Sequence, residues 1–561
     1  MVSNPVTSRC ISRSALLISV LAACSGRPHT PAANPPDLIL YGADIHTMDP
    51  AQPRARAVAI DDGKIIAVGD DAELRALARS STKQIDLAGK TLTPGLIDAH
   101  CHLYGLGADL ETISVRGLDS EQETVEKVVA AKPRAGEWVL GRGWDQNRWL
   151  LQQWPTKALL DAAFPDQPVM LRRIDGHAAW LNSKALALAN ITKATPDAAD
   201  GLIVRNAAGE PTGVLVDNAM ELVDKVVPVA SAEIRERRIL AAAKLAIEAG
   251  ITGVHEMGID DATADVYRKL ATTNQLPLRV YAYLAGDPAQ LDRVRTAPDP
   301  ATGMFALRGV KFFADGALGS RGARMVEPYD DAATRGLWVT DPERLAIAVD
   351  TAVRGGWQVA IHAIGDAGIG SVLDAYLAAT TRYQGDHRLR VEHLQIVAPK
   401  DWSRLVESKA IASMQPTHAT SDMPWAEKRV GAERIKGAYA WRTVLDKGVP
   451  LAAGSDFPVE EVAPLLGIYA AVTRQDAKGN PAGGWYPDQK LTLDEAIAAF
   501  TSGAAYAEFA EGTRGMIAVG RTADITVFDR ALAADRTILE AHIQLTILDG
   551  KIVFERGVTR P

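Results

Sequence analysis

From residue 37 onward the apolar positions of the chain fall into short runs of two styles. Near the two ends the runs alternate with polar residues, as half-buried strands do. They are DLILYGADIHTM, RAVAIDDGKIIAVG and KQIDLAGKTL from Asp37 to about Thr93, then ADITVFDR and LTILDGKIVFERG towards the C-terminus. Asp62-Gly63 and Asp549-Gly550 are hairpin-turn pairs between such runs. Residues 37–93 and 515–561 therefore read as two halves of one small β domain, a composite sandwich. Between them, apolar runs alternate with helical patterns: 94–100, 250–258, 278–284, 309–316, 358–366, 390–397, 411–418 and 450–459, with IRERRILAAAKLAIEAG and PERLAIAVDTAVRGG among the helices. Eight strands alternating with helices predict an α/β fold, a (β/α)8 TIM-like barrel over 94–514, whose chemistry sits at the C-terminal ends of its strands. One stretch breaks the alternation. From about Tyr104 to Ile239 the chain is far too long for a barrel connection and carries its own strand-like runs, EWVLGRGWD and PVMLRRIDGH. It predicts an inserted subdomain over the barrel mouth.

The first residues carry a different pattern. Arg9 and Arg13 precede SALLISVLAAC, an apolar core of signal-peptide length that is too short for a membrane-spanning helix. Residues 1–23 read as a signal peptide, and Leu21-Ala22-Ala23-Cys24 resembles a bacterial lipoprotein signal, which implies lipidation of Cys24. The Pro-rich, polar residues 24–36 read as a tether. With Ser25 rather than an acidic residue after the cysteine, resemblance to the common sorting rule favours an outer membrane facing the periplasm, reached through the lipid anchor alone. An ordinary secretory signal with a chance cysteine is the alternative. After processing at that point Cys101 would be the sole free thiol, which leaves no internal disulfide.

Composition narrows the partners. The 561 residues carry a formal net charge of −8, with 47% hydrophobic and 23% charged residues and no long basic run. That argues against nucleic acid and leaves a small-molecule substrate, with a homo-oligomer open.

The candidate chemistry lies at the barrel rim. His100 and His102 end the first strand in LTPGLIDAHCHLYG, and with Asp98 they share one face of a regular strand. Alone, an H-x-H pair equally suits a strand end reaching solvent. Lys311, His362, His393 and Asp456 fall in the fourth, fifth, sixth and eighth runs. Four histidines and a carboxylate around one cavity suit a divalent transition metal, zinc by default, one or two ions.

The motifs PGLIDAHCH, VKFFADGALGSR, VAIHAIGDAG, RVEHLQIV, MQPTHATSDMPWA, AAGSDFPVE and DGHAAWLNSKAL resemble the amidohydrolase superfamily, more narrowly its amidohydrolase-3 branch of YtcJ-like and N-substituted formamide deformylase-like proteins. The resemblance implies His100, His102, His362, His393 and Asp456 as metal ligands and Lys311 as a carboxylated lysine bridging two ions. The alternative for Lys311 is an inward-facing lysine paired with Asp315 or Asp366.

Such a ligand set leaves a position for water and lowers its pKa to roughly 7. Asp456 is placed to accept the water's proton and pass it to the leaving nitrogen. His418 is a candidate for oxyanion stabilisation or substrate contact. His177 and Trp180 in the insertion, and Arg321 after DGALGS, are candidates for substrate binding, with an ion pair as the alternative for Arg321. Asp98 is a candidate partner for a ligating histidine. His255 suggests packing or support of a ligand, Cys101 points away from the ligand face, and His29, His46, His387 and His542 read as solvated. Trp144, Trp149, Trp154 and Trp180 either line the mouth or form the insertion's own core. The resulting expectation is a metal-dependent hydrolase of a carbon–nitrogen bond other than a peptide bond, in a small N-substituted amide. The competing readings are a heterocycle deaminase or ester/lactone hydrolase at the same site, and a lipoprotein that binds solute or metal without turnover.

Overall fold

A computed structural model describes residues 35–134, 136–197, 201–287 and 291–558. The signal peptide, Cys24 and nearly all of the tether lie outside the described residues. No described helix is long and apolar enough to cross a membrane.

Eight parallel strands form the central sheet: β1 (Leu96–Cys101), β2 (Ile251–Ile259), β3 (Arg279–Ala285), β4 (Phe305–Phe313), β5 (Gln358–Ala363), β6 (Arg390–His393), β7 (Ile411–Met414) and β8 (Leu451–Ala453), each beside its neighbour in sequence order. The chain after β8 returns to β1, where Asp456 N–H donates to His100 C=O (2.7 Å) and His102 N–H to Phe457 C=O (2.8 Å). These bonds bring the last strand's exit beside the first and place Asp456 against the H-x-H pair. The strands are buried along almost their whole length, as expected of a parallel sheet covered by helices.

The predicted runs 390–397, 411–418 and 450–459 are longer than the strands they contain. β6 stops at His393 because His393 and Leu394 adopt positive φ (70° and 44°), a region costly for residues other than glycine. β7 gives way to a helix that starts at Pro416, and Asp456, at φ 62°, lies beyond the end of β8. His418 accordingly does not end β7. It lies on the short helix Pro416–Asp422 that follows it.

The two chain ends meet in one six-stranded sheet, where Ile525–Phe528 runs antiparallel to Thr91–Pro94, and a four-stranded sheet from 38–86 lies in the same region of the sequence. Both hairpins turn on Asp-Gly pairs with positive φ at each residue: Asp62 45° and Gly63 73°, Asp549 48° and Gly550 72°. That is the left-handed geometry a two-residue turn requires.

The insertion is a six-stranded sheet between Ile113 and Asp217. It ends before Ile239. Helix Ala232–Glu248 starts at Ser231, whose hydroxyl accepts from Ile234 N–H. Its apolar stripe Ile239, Ala242, Ala243, Ala246 and Ile247 joins the barrel core, so this helix belongs to the barrel and leads into β2.

Candidate metal centre and active-site cavity

Asp456 is the meeting point of the rim. His102 Nε2 lies 3.3 Å and His100 Nε2 3.6 Å from its Oδ1, and His418 Nε2 lies 3.7 Å from its Oδ2. Two groups of ligand atoms each fall within 4.8 Å of one another: His100, His102 and Asp456, then His393, His418 and Asp456. His100 Nε2, His418 Nε2 and Asp456 Oδ1 are buried with no hydrogen-bond partner among the described residues. Buried polar atoms without a partner are costly. Here they converge, and nitrogen lone pairs beside a carboxylate oxygen are the donor set of a divalent transition ion. The residues present fit a metal.

Each imidazole is oriented by its other nitrogen, the usual way a ligand tautomer is fixed. His100 Nδ1 lies 2.5 Å from Glu392 Oε2. His102 Nδ1 donates to Met257 C=O at 2.9 Å. His393 Nδ1 lies 2.8 Å from Gln415 Oε1. His362 is turned the opposite way, with Nε2 donating to Gly316 C=O at 3.3 Å, which leaves Nδ1 as its lone-pair nitrogen. Its ring centroid is 4.6 Å from that of His393. Burial, with Lys311 nearby, lowers the His100 imidazole to about 4, and burial pushes His362 and His393 well below the ordinary value. All three are neutral imidazoles able to donate lone pairs. Burial alone would raise the Asp456 carboxyl. His100 and His102 outweigh it and hold the group well below the usual carboxylate range.

Lys311 points its amine at the Phe313 ring, 4.6 Å from the centroid. Burial lowers it to about 8. It pairs with neither carboxylate suggested by the sequence. Asp315 instead accepts backbone N–H groups of Arg324, Ile364 and Gly365, and Asp366 accepts from Val326 N–H.

A cavity of about 710 Å³ opens above these groups, bounded by the barrel rim and the insertion. His177 lines it, its Nδ1 2.7 Å from Asp217 Oδ1 and its ring centroid 5.0 Å from that of His362. Trp180 does not reach it. That indole is fully buried and donates to Thr156 C=O at 2.9 Å, packed edge-on against Trp144 and Trp149. These tryptophans are the core of the insertion: the strands carrying Trp144 and Trp180, which flank the strand Val169–Arg173, bury them in one apolar cluster with Val125, Val128, Leu160 and Phe164 of its own helical face. The tryptophan that does line the cavity is Trp425. Arg321 is also withdrawn from substrate, bound to both carboxylate oxygens of Asp331 at 3.0 and 2.8 Å. Asp98 contacts no imidazole nitrogen. It accepts from Ser455 Oγ (2.6 Å), Ser455 N–H and His100 N–H (both 3.1 Å), and so ties the end of β1 to the chain after β8. His46 is buried against Asp494 at 2.6 Å rather than solvated.

Sequence reasoning missed Glu392, Glu256, Gln415 and Asp217. Glu392 is fully buried and paired with Arg390 Nε at 2.7 Å. Its signal was the charged pair at i and i+2 inside RVEH, an otherwise unexplained expense in a buried strand. Glu256 accepts the N–H groups of Leu103 and Tyr104 and so anchors the helix that begins just after His102. Asp217 sits at φ 49° and fixes His177. Gln415 lies within MQPTHATSDMPWA, one residue after the end of β7, but nothing local marks it as the partner of His393, and no motif marks Asp217.

A parallel barrel with imidazole and carboxylate ligands converging at the C-terminal ends of its strands defines a metal-dependent hydrolase. The amidohydrolase family model matches residues 83–554, and the chain belongs to that family. It is 35% identical over 533 residues to YtcJ of Bacillus subtilis, covering 92% of this chain and 99% of the relative. It is 29% identical to the N-substituted formamide deformylase of Arthrobacter pascens, covering 93% and 98%. An uncharacterized metal-dependent hydrolase from Pyrococcus horikoshii superposes with a TM-score of 0.71 at 30% identity, covering 88% and 97%. The protein is a metal-dependent amidohydrolase.

Proposed function

We propose that the enzyme cleaves the carbon–nitrogen bond of a small N-substituted amide. The observation that carries this reading is the pair of unpartnered ligand atoms His100 Nε2 and Asp456 Oδ1 at the floor of one cavity. A divalent ion bound there, zinc by the ligand chemistry and one or two in number, would polarise the amide carbonyl and acidify a water. His100, His102, His362, His393 and Asp456 are the residues to hold it, with Lys311 as a carboxylated bridge if there are two. Asp456 accepts the proton of the attacking water and returns it to the leaving nitrogen. His418, on the helix beside β7, lies against the other oxygen of that carboxylate and is placed to stabilise the developing oxyanion. His177, held by Asp217, contacts the substrate from the insertion side. Met257, Phe313, Leu318 and Trp425 line the same cavity and supply apolar area for the N-substituent. Support also comes from the deformylase relative, whose named substrates are N-substituted formamides.

A panel of N-substituted amides, esters, lactones and aminated purines and pyrimidines, given to zinc-loaded protein, tests the reading. Turnover of the amides supports it. Deamination of the heterocycles with inert amides would replace it, and binding without turnover of any member would favour a binding lipoprotein. We further propose that the mature protein is anchored through lipidated Cys24 to the outer membrane, facing the periplasm, and that it acts there on a small molecule, as a monomer or a homo-oligomer.

A further inference from the structure

The cavity is lined by four arginines: Arg142, Arg172, Arg173 and Arg235. Three of them are neutralised by the protein. Arg172 Nη2 lies 2.5 Å from Asp224 Oδ1. Arg173 is held between Asp145, at 2.5 Å, and Asp175. Arg235 Nη1 lies 2.9 Å from Asp260 Oδ1.

Arg142 is different. Among the described residues it forms no ion pair, its hydrogen bond is Nη2 to Ile174 C=O at 3.1 Å, and its Nε is buried without a partner. Nor is it far from other positive charge. The parallel strands Val139–Trp144 and Val169–Arg173 run in register with Arg142 beside Arg172, and like charges on adjacent strands repel. A guanidinium next to a second one, whose leading opposite charge is Asp109, a carboxylate beyond ion-pair distance and already engaged by Arg116 at 3.8 Å, is under-compensated in the empty protein. Its environment becomes favourable once an anion enters. The planar fork of N–H donors matches the two oxygens of a carboxylate, and Arg142 opens on the same cavity as the candidate metal ligands.

We infer that Arg142 binds a carboxylate group of the substrate, so that the preferred substrates are small amides bearing a free carboxylate. The identity of the scissile bond rests on the proposed amide hydrolysis. The carboxylate site does not, because it is defined by the arginine and not by the reaction. The carboxylate enters as the anion and leaves its solvent counter-cation behind, Arg142 taking that cation's place, and no bond to it is made or broken.

Binding and turnover are therefore read separately. Titration calorimetry compares 4-phenylbutyrate with uncharged 4-phenylbutanol on zinc-loaded parent, R142M and R142K. The parent should bind the acid at least tenfold more tightly than the alcohol. R142M should lose that difference. R142K, which keeps the charge and loses the fork, should fall between. Circular dichroism and zinc content establish that the variants are folded and loaded, and R142K alone decides if R142M is not. Equal affinity of the parent for acid and alcohol, or an undiminished preference in the variants (for instance through direct metal ligation), would overturn the inference. Turnover is then measured with N-acetylphenylalanine and N-acetylphenethylamine, which share the amide and differ in the carboxylate. Hydrolysis faster with the former supports both readings. If neither is cleaved while the binding preference stands, the amide reading fails and the carboxylate site survives.

Discussion

Glu392 Oε2 and His100 Nδ1 are 2.5 Å apart, both fully buried. This contact decides which nitrogen of His100 faces Asp456. Arg390 grips the same carboxylate with Nε at 2.7 Å and Nη2 at 3.0 Å, and extends the network to His255 Nδ1, Tyr283 and Ser413. Burial would raise the Glu392 carboxyl, but Arg390, aided by His100, holds it far below the ordinary range. The metal side of the barrel is thus built on an anion that never meets solvent.

Glu392→Gln should weaken metal retention by about 10–100-fold, the usual effect of losing the group that orients a ligating histidine. Zinc content after dialysis against graded chelator reads it out. The same change leaves Arg390 without its partner, so thermal stability should fall as well, by about 3–5 kcal/mol. His100→Ala, which keeps the Arg390–Glu392 pair, should lose metal without the second effect, and a matching loss of stability there would trace the fall to the lost histidine or metal and not to an unpaired Arg390.

Asp456→Asn should lower kcat by orders of magnitude, because the carboxylate is placed to move the proton in the transition state. KM should change much less. Zinc content must be measured in parallel, since Asp456 is also a candidate ligand. Chelation of the parent should abolish activity, and readdition of zinc should restore it. A chelated, metal-free protein that still turned over substrate would remove the metal from the reaction.

Much of this was legible in the sequence, and the unevenness has physical causes. The barrel strands show as apolar runs because parallel strands are buried on both faces, and His100, His102 and Asp456 stand out as polar interruptions at their ends. The Asp-Gly turns of the end domain follow from backbone geometry. What did not show was anything decided by a partner distant in sequence. Glu392 meets His100 across 292 residues, and Asp98 meets Ser455 across 357. Alternation placed Asp98 on the ligand face, yet a closer pair of donors at the end of β8 captured it. For Trp144 and Trp180 the sequence leaves mouth lining and insertion core both open, because aromatic residues serve both purposes. Only the packing of the insertion's sheet on its own helices separates the two.

Trp180→Ala should therefore act on stability. Removing a fully buried indole costs about 3–5 kcal/mol, read as a fall in the denaturant midpoint, while KM of the folded fraction stays near that of the parent. Trp425→Ala should do the reverse, raising KM with little change in midpoint, because Trp425 is half-buried at the cavity wall. A large KM effect from Trp180→Ala in fully folded protein would return that residue to the substrate.

Cys24→Ala should leave the protein without a lipid, recovered unprocessed or in the soluble fraction instead of with membranes. Intact mass of the mature N-terminus checks it, since a diacylated or triacylated cysteine adds a mass that simple cleavage does not. A plain N-terminus beyond residue 24 would refute lipidation.

Lys311→Ala tests the number of ions. Lys311 lies on β4 between its neighbours Ala285 on β3 and Ala360 on β5, buried, with its amine free of hydrogen bonds and ion pairs among the described residues and aimed along the face of Phe313. A lysine buried in this way is costly as an ammonium ion, and Glu392 and Asp456 offset that cost only in part and without a direct ion pair. Carboxylation by carbon dioxide converts the amine to an anionic carbamate, which two cations sharing its oxygens would hold in place. If that is its state, Lys311→Ala should lower bound zinc from two equivalents towards one, and short carboxylic acids added to the variant should restore part of the second by supplying the missing oxygens. Expression with added bicarbonate should raise occupancy in the parent and not in the variant. Zinc at one equivalent in both proteins, together with an unmodified lysine mass in a peptide map taken under conditions that preserve carbamates, would leave a single ion held by the histidines and Asp456.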